Sequence, residues 1–331
     1  MSDMETWDVI IIGAGSAGLS AALYTVRSGL GTLVLDEKIA GGTITNAPTI
    51  VNYPGFLEIS GAELAQKIAD HAQKFGAVIH EIETVTALNL HGEIKTVTTP
   101  TATYNAKAII IATGSHYKEL GVKGEQEFRG RGVSYCGVCD GPFFRGKHVL
   151  VVGGGNSASI TTLYLSNLVA QVTLIHRRET LRAEQSLVDD ITNKTNIKIL
   201  WNTEIQEIKG DKQVRTVTLK NNKTKQTQEL KTDAVFVQIG EAPNSQLATA
   251  SGVEIDEHGY IKTNLHQQTN LPGVFTAGDI TNHPIKQVGT AVGQGITAAL
   301  EAYAYIRQPY HKKHPIETIT PISKTEKTSK P

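Results

Sequence analysis

Cysteine is scarce in this chain. Its 331 residues include two cysteines, Cys136 and Cys139, both within the segment SYCGVCDG. A structural zinc site needs four ligands, and no second Cys-x-x-Cys or His-x-x-x-His pair is present to complete one, so we expect no metal. In a reducing compartment such a pair is more often catalytic than a structural cross-link. The lack of further cysteines therefore favours a redox function for this pair.

Net charge and long apolar runs are missing as well. The chain has 32 basic and 32 acidic side chains, which gives no general attraction to nucleic acid or anionic lipid. Its first apolar run, VIIIGAG, follows acidic residues and is soon broken by glycine. It fits neither a secretory leader nor a membrane span of about 20 residues. We expect a cytoplasmic protein without a nucleic-acid or membrane partner.

Two stretches of the chain match each other at a fixed offset. WDVIIIGAGSAGLSAALYTVRSGLGTLVLDE starts at Trp7 and KHVLVVGGGNSASITTLYLSNLVAQVTLIHRR starts at Lys147. Each copy predicts a βαβ unit, in which a glycine turn brings a pyrophosphate to a helix N-terminus. We expect an α/β fold with two Rossmann-like three-layer nucleotide-binding domains. The candidate residues in the two turns are Gly13, Gly15, Gly18, Gly153, Gly155, Asn156, Ser157 and Ala158.

The ends of the second strands distinguish two nucleotides. The first unit ends at Asp36 and Glu37, where a carboxylate accepts hydrogen bonds from ribose hydroxyls. The equivalent positions of the second unit begin the segment HRRETLR, whose guanidinium groups suit a 2′-phosphate. The second unit is therefore predicted to bind NADPH, not NADH, through His176, Arg177, Arg178 and Arg182.

NADPH needs an electron acceptor, which favours FAD in the first unit. AIIIATGS (108–115) and GVFTAGDI (273–280) each predict a buried strand that ends in a turn of small residues. The following KQVGTAVGQGITAALEAY predicts a helix whose N-terminus can stabilise an anionic reduced flavin. The candidate flavin contacts in these segments are Thr113, Gly114, Asp279, Lys286, Gln287 and Val288.

The cysteine pair lies between the two glycine turns and so belongs to the NADPH domain. Electrons can pass from NADPH to FAD, from FAD to a Cys136–Cys139 disulfide, and then by thiol–disulfide exchange to a partner. Asp140 adjoins the pair and can exchange a proton with a leaving thiolate. We therefore predict Cys136, Cys139 and Asp140 as the catalytic residues.

Several motifs together resemble the low-molecular-weight thioredoxin reductases. They are CGVCD (136–140), GGGNSA (153–158), HRRETLR (176–182), ATG (112–114), NYPG (52–55) and AGD (277–279). The resemblance spans roughly residues 7 to 307. It implies a homodimer, and an FAD domain split by an inserted NADPH domain. It also implies flavin contacts at Gly41, Gly42, Thr43 and Asn52.

The resemblance further implies a role for each catalytic residue. Cys139 meets the flavin, Cys136 attacks the thioredoxin disulfide, and Asp140 is the acid/base. A large rotation between the domains would present nicotinamide and dithiol to the flavin in turn. The hinges are expected near GSHYKELGVKGE and GEAPNSQL. Arg131, Phe143 and Phe144 are a candidate docking patch, although the two aromatic residues suit a core equally well.

The chain also departs from this family. Thr43 stands where glutamine is expected, and Ile160 and Thr161 stand where the family carries paired acids. Two rival functions remain open: the same chemistry with a glutaredoxin-like or peroxidase-carrier partner, and a flavoprotein that uses ferredoxin or another carrier with a regulatory dithiol.

The predicted FAD domain comprises residues 1–118 and 246–310, and the NADPH domain residues 119–245. Residues 311–331 are rich in Lys, Thr and Pro and are predicted to form a flexible tail.

Overall fold

The computed structural model describes residues 6–307, which form two compact units. The first consists of the chain up to Gly42, of Ile68–Gly114, and of the chain from Ser245 onward. The second consists of Thr43–Lys67 and Ser115–Asn244. The domain bounds drawn from the sequence stay a prediction, and the tail predicted at 311–331 lies outside the described residues.

The described residues form 17 strands and seven α-helices. In chain order the strands are β1 (Thr6–Ile12), β2 (Thr32–Leu35), β3 (Val78–His80), β4 (Ala87–Asn89), β5 (Lys95–Thr98), β6 (Thr103–Ile111), β7 (Ser115–Tyr117), β8 (Val133–Ser134), β9 (His148–Gly153), β10 (Gln171–Ile175), β11 (Ile197–Leu200), β12 (Thr203–Gly210), β13 (Val214–Asn221), β14 (Thr227–Lys231), β15 (Ala234–Gln238), β16 (Glu241–Pro243) and β17 (Val274–Thr276). The helices are α1 (Ser16–Arg27), α2 (Gly61–Lys74), α3 (Gly137–Asp140), α4 (Asn156–Ser166), α5 (Gln185–Thr192), α6 (Gln246–Ala250) and α7 (Val288–Arg307), with 3-10 turns at Gly42–Asn46 and Gly141–Phe144.

The first unit is built on a sheet of strand order β3-β2-β1-β6-β5-β4, with β17 also paired to β6. The pairs among β1, β2, β3, β6 and β17 are parallel. The C-terminal parts of central β1 and β6 are apolar runs, as expected of parallel strands covered on both faces, and Val9, Ile10, Ile109 and Ile110 have no solvent exposure. Helices α1 and α7 pack tightly, because a Cβ on Gly295 would lie 2.2 Å from the Ala17 carbonyl oxygen.

The second unit has its own parallel sheet, of order β11-β10-β9-β15-β8. A separate antiparallel sheet, β12-β13-β14, packs its apolar residues with those of β9 and β15 in one core that includes Val152, Val217 and Val235. Strands β7 and β16 form a two-stranded antiparallel ribbon. Each end of the inserted Ser115–Asn244 stretch therefore contributes one strand to this ribbon.

The two matching stretches fold alike. β1-α1-β2 and β9-α4-β10 are both parallel strand–helix–strand units with a glycine turn before the helix. The prediction of an α/β fold with two nucleotide-binding units is confirmed. Within residues 6–307, no helix combines the length and apolar character that crossing a membrane requires.

Candidate active site

The first glycine turn depends on the absence of side chains. Gly13 has a φ of +107°, and a Cβ on it would lie 2.3 Å from the Ala112 carbonyl oxygen. A Cβ on Gly18 would lie 1.8 Å from the Gly13 carbonyl oxygen, so α1 sits directly against the turn. A Cβ on Gly15 would meet only the Cα of Gly42, at 3.9 Å. The turn is thus closed toward the sheet and open at Gly15, where a phosphate can approach the backbone.

Ser16, the first residue of α1, was not singled out from the sequence. Its side chain is buried, and among the described residues its hydroxyl has no hydrogen-bond partner. A buried hydroxyl without a partner is costly, and at a helix N-terminus it is well placed to donate to an anionic ligand. The only signal in the sequence is the position of a serine inside the glycine motif.

Asp36 and Glu37 occupy different environments at the end of β2. The carboxylate of Asp36 accepts hydrogen bonds from Ala14 N at 2.6 Å and from Lys38 N at 2.8 Å. Burial raises its pKa, although these hydrogen bonds oppose the shift. Glu37 is exposed and its carboxylate lies 3.2 Å from Lys38 Nζ. Asp36 therefore braces the glycine turn, whereas Glu37 is the carboxylate that is open to a ribose.

The remaining first-unit residues surround the ends of β6 and β17. Gly114 follows β6 with a φ of +67° and open space beside its α-carbon, and burial raises the pKa of Asp279 after β17. Lys286 Nζ donates to the Asp279 carbonyl oxygen at 3.0 Å and lies 4.2 Å from the centroid of the Tyr260 ring. Buried Gln294, which the sequence did not suggest, accepts a hydrogen bond from Gly278 N at 2.7 Å.

Other predicted flavin contacts have the following places. Thr113 lies between β6 and Gly114, Gln287 precedes α7, and Val288 begins it. Gly41 N donates to the Ala14 carbonyl oxygen at 2.7 Å, which ties this segment to the first turn. Thr43 and Asn52 group with the second unit.

The second glycine turn has the same construction. A Cβ on Gly153 would lie 2.3 Å from the Gln238 carbonyl oxygen and 2.6 Å from the Cβ of Ala158, whereas a Cβ on Gly155 would meet nothing within 4 Å. Asn156 and Ser157, in the first turn of α4, are exposed. Asn156 exchanges two hydrogen bonds with Glu184, each of 2.9 Å. The turn is closed toward the sheet and open at Gly155.

The residues that follow β10 divide into a support and an exposed cluster. The His176 ring is buried directly beneath Gly154, whose Cβ would lie 2.1 Å from the ring. Burial lowers the pKa of His176, against opposing hydrogen bonds with the backbone of Gly153 and Thr180. The lowered pKa favours the neutral form of this histidine, whose ring supports the turn. The exposed cations of the segment are Arg177, Arg178 and Arg182.

The cysteine pair forms a disulfide in a short helical turn. Cys136 is the N-cap of α3, and its Sγ accepts a hydrogen bond of 3.2 Å from Cys139 N. Ser134 holds the residue before the helix: its Oγ donates to the Cys136 carbonyl oxygen at 3.3 Å and accepts from Cys136 N at 3.1 Å. The turn, which we call the dithiol turn and which comprises residues 136–141, is thus fixed by its own backbone and by Ser134.

Asp140 completes the dithiol turn. Burial raises the pKa of its carboxyl group, although a hydrogen bond with Ser134 opposes the shift. The carboxyl group therefore retains its proton to a higher pH than an exposed aspartate does. It borders a cleft of about 200 Å³ whose lining residues are Pro48, Thr49, Gly130, Gly132, Val133, Ser134, Asp140, Phe143 and Phe144.

The two aromatic residues beyond the dithiol turn differ in exposure. Phe143 is 52% exposed, whereas Phe144 packs edge-on against Phe236, with ring centroids 5.8 Å apart. Arg131 is exposed and lies over the Phe128 ring, with its Cζ 5.7 Å from the centroid. Phe143 and Arg131 are therefore available to a partner, while Phe144 is anchored in the core.

The predicted hinge segments meet in the ribbon of β7 and β16. His116 Nδ1 lies 2.7 Å from the side-chain oxygen of Asn244, and Lys118 N donates to the Gly240 carbonyl oxygen at 2.9 Å. Both connections of the inserted stretch are therefore held together by backbone and side-chain hydrogen bonds.

Comparisons with known proteins agree on one family. Residues 7–295 match the model of the pyridine nucleotide-disulphide oxidoreductases. The thioredoxin reductase of Treponema pallidum is 45% identical over 92% of this chain and 98% of its own, and that of Bacillus subtilis is 43% identical over 93% and 97%. The crystal structure of thioredoxin reductase from Streptococcus pyogenes superposes with a TM-score of 0.87 at 39% identity, covering 91% of this chain and 98% of its own.

Proposed function

The chain belongs to the pyridine nucleotide-disulphide oxidoreductases, in the branch of the thioredoxin reductases, and on this basis we propose that it is an FAD-dependent enzyme that uses NADPH to reduce thioredoxin. The observation that carries the proposal is the Cys136–Cys139 disulfide beside the protonatable carboxyl group of Asp140, in a unit that also contains a nucleotide-binding turn.

The first unit fits FAD. Space at Gly15 and the N-terminus of α1 suit a pyrophosphate, as does the Ser16 hydroxyl, which has no hydrogen-bond partner among the described residues. Exposed Glu37 suits a ribose. Lys286, together with the turns at Gly114 and Asp279, would hold the ring end. When bound, FAD would supply the two-electron chemistry that links NADPH to a disulfide.

The second unit fits NADPH. Gly155 and the N-terminus of α4 would bind the pyrophosphate, and Arg177, Arg178 and Arg182 would bind the 2′-phosphate. Arg178 and Arg182 both lie near enough to depress the pKa of His176 electrostatically. These two guanidinium groups therefore lie near the end of β10, where a 2′-phosphate would bind.

The dithiol turn supplies the exchange chemistry. In the reduced enzyme, the Cys136 thiolate attacks one sulfur of the thioredoxin disulfide, forms a mixed disulfide and expels a thiolate. Cys139 then attacks Cys136, which restores the Cys136–Cys139 bond and releases thioredoxin with both sulfurs reduced. Asp140 provides and recovers the proton that the leaving sulfur needs, which its raised pKa favours.

Three further features belong to the proposal. Exposed Phe143 and Arg131 form the thioredoxin-docking patch. The enzyme is a homodimer in the cytoplasm, with light scattering as the check on its oligomeric state. The hydrogen-bonded ribbon of β7 and β16 lies at the hinge of an inter-domain rotation.

The test is anaerobic absorbance spectroscopy of the purified flavoprotein. Stoichiometric NADPH, but not NADH, should bleach the flavin, and oxidised thioredoxin should restore its colour. In the Cys139→Ser variant, NADPH should still bleach the flavin, but thioredoxin should not restore it. Bleaching of the wild type without recovery would contradict thioredoxin as the partner and favour a glutaredoxin-like protein or a peroxidase carrier. If NADPH did not bleach the flavin, the proposal that NADPH is the electron donor would be contradicted.

A further inference from the structure

Helix α4 and the dithiol turn are in direct contact. A Cβ on Gly137 would lie 2.5 Å from Cγ2 of Thr161, and a Cβ on Gly141 would lie 2.6 Å from Cδ2 of Leu165. Both ends of the dithiol turn thus rest on the same face of α4 without intervening side chains. The space between them is too small even for an added methyl group, and because packed groups are not continuously deformable, a displacement of α4 is expected to displace the dithiol turn.

The side-chain amide of Gln238 spans the same two elements. Its Nε2 donates to the Tyr135 carbonyl oxygen at 2.7 Å, next to Cys136. Its Oε1 accepts a hydrogen bond of 3.3 Å from the Thr161 hydroxyl. Gln238 is the last residue of β15 and pairs with Gly153 of the glycine turn. One half-buried amide therefore connects the nucleotide helix, the strand edge beside the glycine turn, and the peptide that leads into the redox-active pair.

The aromatic ring of Tyr135 is fixed as well. Its hydroxyl donates to Glu125 Oε1 at 2.8 Å, and its ring stacks on Tyr117 with centroids 5.2 Å apart. The carbonyl that Gln238 contacts therefore belongs to an anchored residue. A rigid acceptor makes the hydrogen bond with Gln238 sensitive to the position of α4 and β15.

We propose that Thr161 and Gln238 are positioning residues that fix the dithiol turn to α4, and that they thereby couple nucleotide binding on this helix to the redox equilibrium of Cys136 and Cys139. The inference rests on the proposed function, since it needs a nucleotide on α4 and a reducible pair. It gives Thr161, one of the positions at which the chain departs from its family, a defined role. By linkage, a nucleotide that changes the redox equilibrium must bind the disulfide and dithiol forms with different affinity.

The experiment is a redox titration of the holoenzyme in dithiol/disulfide buffers, with and without saturating 2′-phospho-ADP-ribose. This probe carries the pyrophosphate and the 2′-phosphate of NADP⁺ but has no nicotinamide, so it neither gives nor takes hydride. Alkylation followed by mass spectrometry reports the state of the cysteine pair, and visible absorbance reports the flavin separately. In the wild type we expect the probe to change the equilibrium constant of the pair at least threefold, which is about 14 mV at about 29.6 mV per factor of ten.

Thr161→Val and Gln238→Leu should abolish this change, because each removes the hydrogen bond between Thr161 and Gln238 and keeps a side chain of similar size. Thr162→Val is the matched control: it lies on the same helix, is fully buried, and among the described residues its hydroxyl has no partner. It should respond to the probe as the wild type does. For each protein, calorimetry gives the ratio of the probe's affinities for the disulfide and dithiol forms. This ratio should equal the factor by which the probe changes the redox equilibrium constant of that same protein.

An unchanged equilibrium constant in the wild type, or an equal response in all four proteins, would overturn the coupling. Neither NADPH nor thioredoxin enters this titration, and calorimetry reports separately whether the probe binds, so a failure of the coupling can be distinguished from a failure of the proposed function. A wild type that responds to the probe but does not reduce thioredoxin would contradict the partner and leave the coupling supported.

Discussion

Gly137→Ala tests the contact between the dithiol turn and α4 directly. The new methyl group would lie 2.5 Å from Cγ2 of Thr161, and 3.5 Å from both its Cβ and its Oγ1. Thr161 can move Cγ2 away only by rotating about χ1, which breaks its hydrogen bond to Gln238. The variant must therefore either overpack the contact or lose that bond.

The magnitude follows from two opposing effects. Overpacking costs about 1–3 kcal/mol, whereas alanine gains less here than the about 0.5–1 kcal/mol of a helix interior, because Gly137 is the first residue of the four-residue α3. We expect a net local destabilisation of about 1–2 kcal/mol, which corresponds to about 5- to 30-fold at 1.4 kcal/mol per factor of ten. Gly137→Ala combined with Thr161→Ser should recover most of this loss, since serine lacks Cγ2 but keeps the hydroxyl that reaches Gln238.

Hydrogen exchange of the peptide covering the dithiol turn is the appropriate assay, because a two-unit flavoprotein need not unfold in one step. The Asp140 amide, bonded to the Cys136 carbonyl oxygen at 3.1 Å, should exchange about 5- to 30-fold faster in Gly137→Ala. A rate equal to that of the wild type would refute the packing argument. So would a double variant that exchanges as fast as the single one.

Three other variants separate the parts of the site. Asp140→Asn should slow thioredoxin reduction by about 10²- to 10⁴-fold. Because burial raises the Asp140 pKa and the proposed role needs the protonated carboxyl group, wild-type turnover should fall as pH rises through that pKa. If the variant's turnover fell with pH in the same way, the assignment of Asp140 would be contradicted. Arg177→Ala with Arg178→Ala should raise the KM for NADPH at least about tenfold, at about 1.5–3 kcal/mol for each charged hydrogen bond lost. The much slower turnover with a large excess of NADH should stay unchanged, as steady-state kinetics with both nucleotides will check. In Asp36→Asn, an NH₂ group replaces one of the two carboxylate oxygens that accept hydrogen bonds from Ala14 N and Lys38 N. The binding free energy of the flavin, measured by fluorescence on dilution, should therefore weaken by about 1–3 kcal/mol. An unchanged affinity would mean that the glycine turn does not need the Asp36 carboxylate.

The sequence predicted the parts of the site that local backbone geometry dictates. Gly13 needs its positive φ, and a side chain on Gly153 would strike the backbone of β15, so each glycine turn is visible as a pattern. Cysteine spacing is local in the same way: Cys136 and Cys139 face each other across one helical turn. Such features can be predicted without knowing the neighbours.

The division of labour between adjacent residues could not be predicted. Asp36 and Glu37 look equivalent in sequence, yet the carboxylate of Asp36 accepts a hydrogen bond from Ala14 N, 22 positions earlier in the chain. His176 stands beside the arginines but supports Gly154 from beneath. In each case the outcome depends on which side of the strand end the side chain leaves, and this is a property of the packed fold.

The role of Gln238 could not be predicted from the sequence either. Nothing in the local sequence distinguishes this glutamine at the end of an apolar strand. Its hydrogen-bond partners are the Tyr135 carbonyl oxygen, 103 positions away, and the Thr161 hydroxyl, 77 positions away. The absence of paired acids at Ile160 and Thr161 was visible in the sequence, but the contact of Thr161 with Gly137 was not.

Helix α4 explains why the chain can lack those acids and keep both of its nucleotide-binding features. A pyrophosphate at the N-terminus of α4 would be bound by backbone N–H groups beside Gly155, which need no particular side chain at residues 160 and 161. The 2′-phosphate would be bound by arginines on a different segment. Nucleotide binding therefore does not require particular side chains in the second turn of α4. There the methyl group of Thr161 packs against Gly137, and its hydroxyl donates a hydrogen bond to Gln238. A longer acidic side chain at residue 161 would have to leave this contact, so we expect Thr161→Glu to speed hydrogen exchange in the dithiol turn. The variant should still bind 2′-phospho-ADP-ribose but lose the difference in affinity between the disulfide and dithiol forms, since the loss falls on packing and not on the phosphate contacts.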